Sequence, residues 1–329
     1  MLRESALPAV TEIERARAFL GQHLTPTRLL PASSLTVLAG RPVLCKLESD
    51  LPTGSFKVRG ALYALWSQTQ GRRPVSEVIA SSTGNHGAAV AYAARQLGVR
   101  ATIFLPRGAN PVKRQRIADL GARIVESGSD ISDAAAGALE YACRDEGIYY
   151  LNDATDAVLP AGPGTIGWEI LEQCPECAEI YVPVGDSALI RGVAAAVHAR
   201  RPSVRVIGVQ AETAPSYYLS WREGRVVTTE TCNTIADGLA TRTPIEANVR
   251  AVREAVADMR LVTEQQMLAA IERLATDEHV VAEPAAAATV ACLMSSLGSV
   301  RRPPGYSDAA VVLLITGGNI APDLLRRRS

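Results

Sequence analysis

Of the 34 Lys and Arg residues in the chain only three are lysines, Lys46, Lys57 and Lys113. An amine does two things that a guanidinium does not: it condenses with an aldehyde, and it gives up its proton readily when desolvated. Lys57 has surroundings suited to such work. It stands in Lys46-Leu-Glu-Ser-Asp-Leu-Pro-Thr-Gly-Ser-Phe-Lys-Val-Arg-Gly-Ala61. Pro52, Thr53 and Gly54 read as a turn, Ser55 as a helix N-cap, and residues 56–66 as the helix that follows. The amine is therefore expected in the first helical turn, at the mouth of a loop. A single lysine taken alone is ordinarily a solvated surface group, so the argument depends on what accompanies it.

Ser81-Ser-Thr-Gly-Asn-His-Gly87 lies between a predicted strand and a predicted helix. Amides of such a loop point together at an anion, although a Gly-rich structural turn has the same composition. His86, considered alone, is more often a structural histidine than a base. Val182-Pro-Val-Gly-Asp-Ser-Ala-Leu-Ile-Arg-Gly192 also follows a strand and opens a helix, where main-chain donors cradle phosphate. Leu313-Leu-Ile-Thr-Gly-Gly-Asn319 ends the last predicted strand. Ile235-Ala-Asp-Gly-Leu239 and Val281-Ala-Glu-Pro-Ala285 read, by composition, as a loop and a helix start.

In this order the segments resemble the motifs of pyridoxal-phosphate enzymes of the tryptophan-synthase-β fold type (fold type II), in the serine/threonine dehydratase and serine racemase branch. The resemblance runs from about residue 24 to residue 319. It implies that Lys57 carries pyridoxal 5'-phosphate as a Schiff base and, once freed, removes the substrate Cα proton. It implies that main-chain amides of Ser82, Thr83, Gly84, Asn85 and His86 hold the substrate carboxylate, with the Asn85 side chain on the cofactor's phenolic oxygen. Thr316 falls where a hydroxyl meets the pyridine nitrogen, Glu283 falls near the ring, and Thr83 faces Cα opposite the lysine. A neutral hydroxyl at the ring nitrogen does not enforce a pyridinium, which weakens the electron sink and favours prompt β-elimination over transamination.

The phosphate site is expected at Gly185, Asp186, Ser187, Ala188 and Leu189, and here the chain departs from the pattern. Relatives carry four glycines where it has Gly185, Asp186, Ser187 and Ala188. The Cβ atoms restrict φ, Ser187 offers a hydroxyl, and Asp186 repels a phosphate dianion unless its side chain turns away. No metal is expected, because Glu212 is followed six residues later by Tyr218 rather than Asp.

The implied activity is an ammonia-lyase (dehydratase) acting on a β-hydroxy amino acid such as L-threonine or L-serine, giving a 2-oxo acid and ammonia. In relatives the departing hydroxyl is proposed to take its proton through the cofactor phosphate. Two alternatives stay open: a racemase or β-replacement enzyme on the same fold, for which Thr83 leaves a hydroxyl in place, and a binding paralogue that has lost catalysis through its altered phosphate loop. Threonine's stiff χ1 and high alcohol pKa argue against it as a base. The resemblance also implies a homodimer, and it ends ten residues before the C-terminus, so no regulatory domain or isoleucine control is expected.

These loops need strand ends and helix starts to hold them. Thr11-Glu-Ile-Glu14 is a capping-box pattern for a helix to residue 20. Apolar runs at 43–47, 78–81, 101–105, 124–125 and 148–151 alternate with helical patterns at 88–97, 112–120 and 131–144. After Gly162-Pro-Gly come a helix at 165–172, a strand at 180–184, a helix at 189–200 and a strand at 204–210. Helical patterns at 244–259, from the capping box Thr263-Glu-Gln-Gln266 onward and at 284–297 precede a final strand at 309–315. Such alternation predicts an α/β protein of mostly parallel twisted sheets flanked by helices, with a crevice at the strand C-termini. The expected organisation is a small substrate-side domain, 77–153, inserted in a large cofactor-binding domain of 1–76 and 154–329.

Composition is compatible with this. Hydrophobic residues make up 47% of 329, ample for a buried core, and the formal net charge is zero with a pI near 6.9, so neither nucleic acid nor a membrane surface is an expected partner. A small amino-acid substrate is expected instead. Arg326 to Arg328 read as a solvated tail. Six dispersed cysteines and no apolar run of membrane-spanning length point to reduced thiols and a cytoplasmic address. Cys174-Pro-Glu-Cys177 has the spacing of half a zinc site or a redox pair, but no second half completes it.

Overall fold

The computed structural model describes residues 6–71, 73–296, 309–321 and 324, so Arg326 to Arg328 lie outside the described residues. The chain begins with α1 (Val10–Leu20), β1 (Leu29–Pro31), α2 (Ser33–Ala39), β2 (Val43–Leu47), a 3-10 turn (Glu48–Asp50) and α3 (Lys57–Thr69). Next come β3 (Glu77–Ser81), α4 (Asn85–Leu97), β4 (Arg100–Leu105), α5 (Pro111–Asp119), β5 (Arg123–Glu126), α6 (Ile131–Ala142) and β6 (Ile148–Tyr150). The chain continues through α7 (Ala161–Gln173), β7 (Cys177–Pro183), α8 (Ala188–Arg200), β8 (Arg205–Ala211), α9 (Ser216–Glu223) and a 3-10 turn (Asp237–Leu239). It closes with α10 (Glu246–Ala255), β9 (Asp258–Val262), α11 (Glu264–Asp277), α12 (Pro284–Ser296) and β10 (Ala310–Ile315).

Two sheets result. One has six strands in the order β1-β2-β10-β7-β8-β9, parallel except for the antiparallel β1-β2 pair. The other has four parallel strands in the order β5-β4-β3-β6, all drawn from residues 77–150. Strand β10, Ala-Val-Val-Leu-Leu-Ile, is buried at every position, which is what a central parallel strand covered on both faces by helices requires. Its inner neighbour α12 is nearly all alanine through its first half, so its backbone lies close against the sheet.

Several local expectations change. Thr11 does not cap α1, because the helix already begins at Val10 after Ala9. Ser55 does not cap α3 either: residues 55 and 317 form a bridge, and the Ser55 hydroxyl is buried without a partner. Helix α7 includes Gly162-Pro-Gly, since a first-turn proline gives up no needed N–H and an added Cβ on Gly162 would strike the Arg59 backbone. The pattern at 244–259 divides into α10 and the edge strand β9, while β1, α2 and α9 carried too short a signal to be foreseen. The capping box at Thr263 and Gln266 is present in both directions.

Candidate active site

Four loops at strand C-termini converge. The lysine loop follows β2, residues 82–84 follow β3, residues 184–187 follow β7, and residues 316–319 follow β10. The first and last are joined main chain to main chain: Phe56 N donates to the Thr316 carbonyl at 2.9 Å, and Gly318 N to the Gly54 carbonyl at 3.0 Å. Gly54 has φ +63, and a Cβ there would lie 2.6 Å from Asn319 Oδ1. That turn needs glycine both for its left-handed backbone and for its neighbour.

Side chains extend the same network. Asn319 Nδ2 donates to Asn85 Oδ1 at 2.6 Å, and Asn85 Nδ2 donates to Glu283 Oε1 at 2.8 Å. Glu283 N in turn donates to the Gly317 carbonyl at 3.0 Å. Burial pushes the Glu283 carboxyl above its ordinary pKa despite the Asn85 bond. Arg116, on α5, donates to the Thr53 carbonyl and so ties the four-stranded sheet to the lysine loop.

Lys57 opens α3, and its ammonium donates to Asp153 in the loop after β6. Burial works against the charge, but the field and hydrogen bond of Asp153, with Asp186 and Glu283 behind, outweigh it and raise the Lys57 pKa. For Asp153, burial opposes ionisation, yet the Lys57 and His86 charges and the Lys57 bond hold its carboxyl well below the usual range. His86 Nε2 faces the Leu151 carbonyl at 2.9 Å, while its buried Nδ1 has no hydrogen-bond partner and stands 3.9 Å from Asp153 Oδ2. Burial lowers the His86 pKa. All three lysines are ion-paired, Lys46 with Glu169 and Lys113 with Asp237.

The loop after β7 is rebuilt relative to a glycine run. Ser187 has φ +70, one of two non-glycine residues with a left-handed backbone among the described residues. Its hydroxyl donates to Tyr217 Oη at 3.2 Å and accepts from Arg191 Nε at 3.2 Å, so it points to the interior rather than to the crevice. Asp186 does turn aside, accepting from Thr241 Oγ1 at 3.0 Å. Leu189 is packed in the core and contributes only main chain. The hydroxyls of Thr83 and Thr316 have no side-chain partner among the described residues, although the Thr316 carbonyl is used by Phe56.

The comparisons agree with this layout. The family model "Pyridoxal-phosphate dependent enzyme" matches residues 20–317. The chain belongs to that family. It is 34% identical over 310 residues to the L-threonine ammonia-lyase of Geobacter sulfurreducens, covering 94% of this chain and 75% of the relative. It is 35% identical to that of Thermotoga maritima over 96% and 77% of the two chains. Among solved structures, maize serine racemase superposes with a TM-score of 0.90 at 27% identity, covering 97% of this chain and 96% of the other. The fold is thus that of the fold type II pyridoxal-phosphate enzymes, and the cofactor is pyridoxal phosphate.

The residues fit that cofactor. Amides of Gly185, Asp186 and Ser187 donate to no protein group among the described residues, and they precede the N-terminus of α8, a ready anion cradle. Gly185 is required where it stands, since a Cβ would run into the Gly238 carbonyl. Amides of Thr83, Asn85 and His86 are likewise unused, and a Cβ on Gly84 would meet nothing within 4 Å, so this main chain borders open space.

Asp186 is the acidic side chain of this cradle, turned onto Thr241. Burial and then the Asp153 charge push its carboxyl from 3.8 up to about 6, against Lys57, Thr241 and Arg191. A raised carboxyl pKa stabilises the fold fully below the unfolded value, about pH 4, and that contribution is lost as pH rises through about 6. Asp186→Asn is therefore expected to gain stability over the parent at pH 8 and not at pH 4. Thermal unfolding across that range checks it, and parallel pH profiles for the two proteins would contradict it. Removing the anion is also expected to tighten cofactor binding at pH 8.

Sequence reading passed over Asp153, which lies in no recognised motif. The signal available was its place, a carboxylate three residues beyond the end of a parallel strand, where such sheets bind their ligands.

Proposed function

We propose that this enzyme is an ammonia-lyase that eliminates the β-hydroxyl of L-threonine or L-serine, yielding a 2-oxo acid and ammonia. The observation that carries the reading is Lys57 Nζ at the mouth of a crevice lined by unused amides from two helix N-termini. The relatives named L-threonine ammonia-lyase, matched over most of the chain, favour this substrate class. Bound pyridoxal phosphate supplies an electron sink for the pair left on Cα when its proton departs.

The chain's own residues do the rest. Amides of Ser82, Thr83, Gly84, Asn85 and His86 bind the substrate carboxylate, which fixes Cα against Lys57. Neutral Lys57 takes the Cα proton at Nζ, because a desolvated amine without its counter-charge is a competent base. Asn85, held between Glu283 and Asn319, and the hydroxyl of Thr316 orient the ring, and the amides of Gly185 to Leu189 hold the phosphate. We also propose that residues 77–153 act as a substrate-side domain against a cofactor domain of 1–76 and 154–329, in a cytoplasmic homodimer. No described helix is long and apolar enough to cross a membrane.

The test is a panel of L-serine, L-threonine and 3-hydroxyaspartate on cofactor-loaded protein. Equimolar 2-oxo acid and ammonia from at least one of them is expected. Exchange of enantiomers without oxo acid would instead support a racemase, the reading that a hydroxyl at Thr83 leaves open. Sedimentation velocity tests the dimer.

A further inference from the structure

Resting on the reading of Lys57 as the base, proton accounting exposes a gap. An amino acid arrives as an ammonium and must shed a proton before its nitrogen is nucleophilic. Lys57 must finish without one to accept the proton from Cα. One proton therefore needs an acceptor, and the side chain that touches Lys57 Nζ is Asp153.

We propose that Asp153, backed by His86, is the proton store of Lys57. The N–H bond on Lys57 breaks, an O–H bond forms on Asp153 Oδ2, and the neutral acid is held by the lone pair of His86 Nδ1. No other reactant is consumed. The geometry supplies each part. Asp153 Oδ2 is the direct acceptor of the Lys57 ammonium. The His86 ring is held through Nε2 on the Leu151 carbonyl, which assigns the hydrogen to Nε2 and leaves Nδ1 as an acceptor. That Nδ1 is buried, unpartnered and 3.9 Å from the same carboxylate oxygen, so a small side-chain rotation brings it into hydrogen-bond range once the oxygen carries a proton.

Electrostatics hold the ion pair at rest and favour the protonated carboxyl only once Lys57 is uncharged. The titratable groups facing Asp153 are Lys57 from α3, His86 from α4 and Asp186 from the loop after β7, with Tyr150 on β6 beside them. Asp156 lies on the same loop as Asp153 and acts on His86. Lys57 is the dominant cation among them. While it is charged, Asp153 stays ionised. When Lys57 becomes neutral, burial and the neighbouring Asp186 both favour the protonated carboxyl. Pair and proton thus switch together, and each state of Lys57 selects the matching state of Asp153.

Two arms test this. In the first, cofactor-free Lys57→Met protein is compared with Lys57→Met/Asp153→Asn by difference infrared spectroscopy at neutral pH. A protonated-carboxyl band lost in the double variant is expected, and absence of that band overturns the proposal. This arm needs no turnover, so it stands even if the substrate assignment fails. In the second, Asp153→Asn keeps a hydrogen-bond acceptor for Lys57 but accepts no proton. Its kcat is expected to fall roughly 10- to 100-fold with KM little changed and with the pH profile displaced. Asp153→Glu is expected to recover part of the rate. Wild-type kcat and pH profile in Asp153→Asn would show that the residue only positions the lysine and would overturn the proposal.

Discussion

Lys57→Ala is expected to lower turnover by roughly a thousandfold or more, because a positioned general base alone contributes about 10²- to 10⁴-fold. Covalent attachment of the cofactor is lost with it. The substitution should leave the fold intact, since the side chain keeps 20% exposure and the helix starts without a side-chain cap. It also leaves Asp153 and Asp186 without their nearest cation, so binding of the anionic cofactor should weaken as well. Borohydride treatment followed by peptide mass analysis is expected to fix the cofactor to residue 57 in the parent and nowhere in the variant. An alanine variant with parental activity would remove the basis of the whole functional reading.

Arg59→Met is expected to act on stability with comparable force. The guanidinium is 2% exposed and is gripped on both edges: Nε to Glu48 Oε2 at 2.8 Å, Nη2 to Glu48 Oε1 at 2.9 Å, and Nη1 to Glu169 Oε1 at 2.5 Å. Thr165 Oγ1 accepts a further bond at 3.1 Å. Lys46 serves the same Glu169 at 2.6 Å, so two cations and two carboxylates form one buried network. Taking away one partner leaves Glu48, fully buried, without its fork, and broken buried pairs typically cost about 3–5 kcal/mol. For a protein of this size that lowers Tm by roughly 10 °C. Arg59→Lys retains charge but loses the paired geometry and should fall between the two. Calorimetry decides, and an unchanged Tm in Arg59→Met would mean that the network is a net-neutral structural device.

The position of Arg59 links that stability to chemistry. It lies two residues beyond Lys57 on α3, and its partners come from the turn after β2 and from α7. The network therefore fixes the start of α3 against both the sheet and the adjoining helix. Weakening it should loosen the lysine loop before it unfolds the core.

Motif order was legible from the sequence because each site loop is local. A strand, a Gly-containing turn and a helix start occupy about ten consecutive residues, and their amides converge wherever that unit folds. Lys57, Asn85, Gly185 and Thr316 were singled out through the family resemblance that these short segments carry. Boundaries were less legible where helix and strand share an apolar pattern, as at 244–259, and where the helix was placed after Gly162-Pro-Gly although Pro163 sits in its first turn. Ser187 was read as a hydroxyl for the phosphate, but burial against Tyr217 and Arg191 turns it inward.

The sequence alone therefore determined the family, its aldehyde cofactor and the lysine that meets it, since these are written in short contiguous segments. Tertiary structure decided which charges govern that lysine. Asp153 lies 96 residues away along the chain, and Glu283 lies 198 residues from the Asn85 it holds. Coulomb and desolvation energies depend on separation and burial in the folded molecule, and neither quantity can be read from distance along the chain.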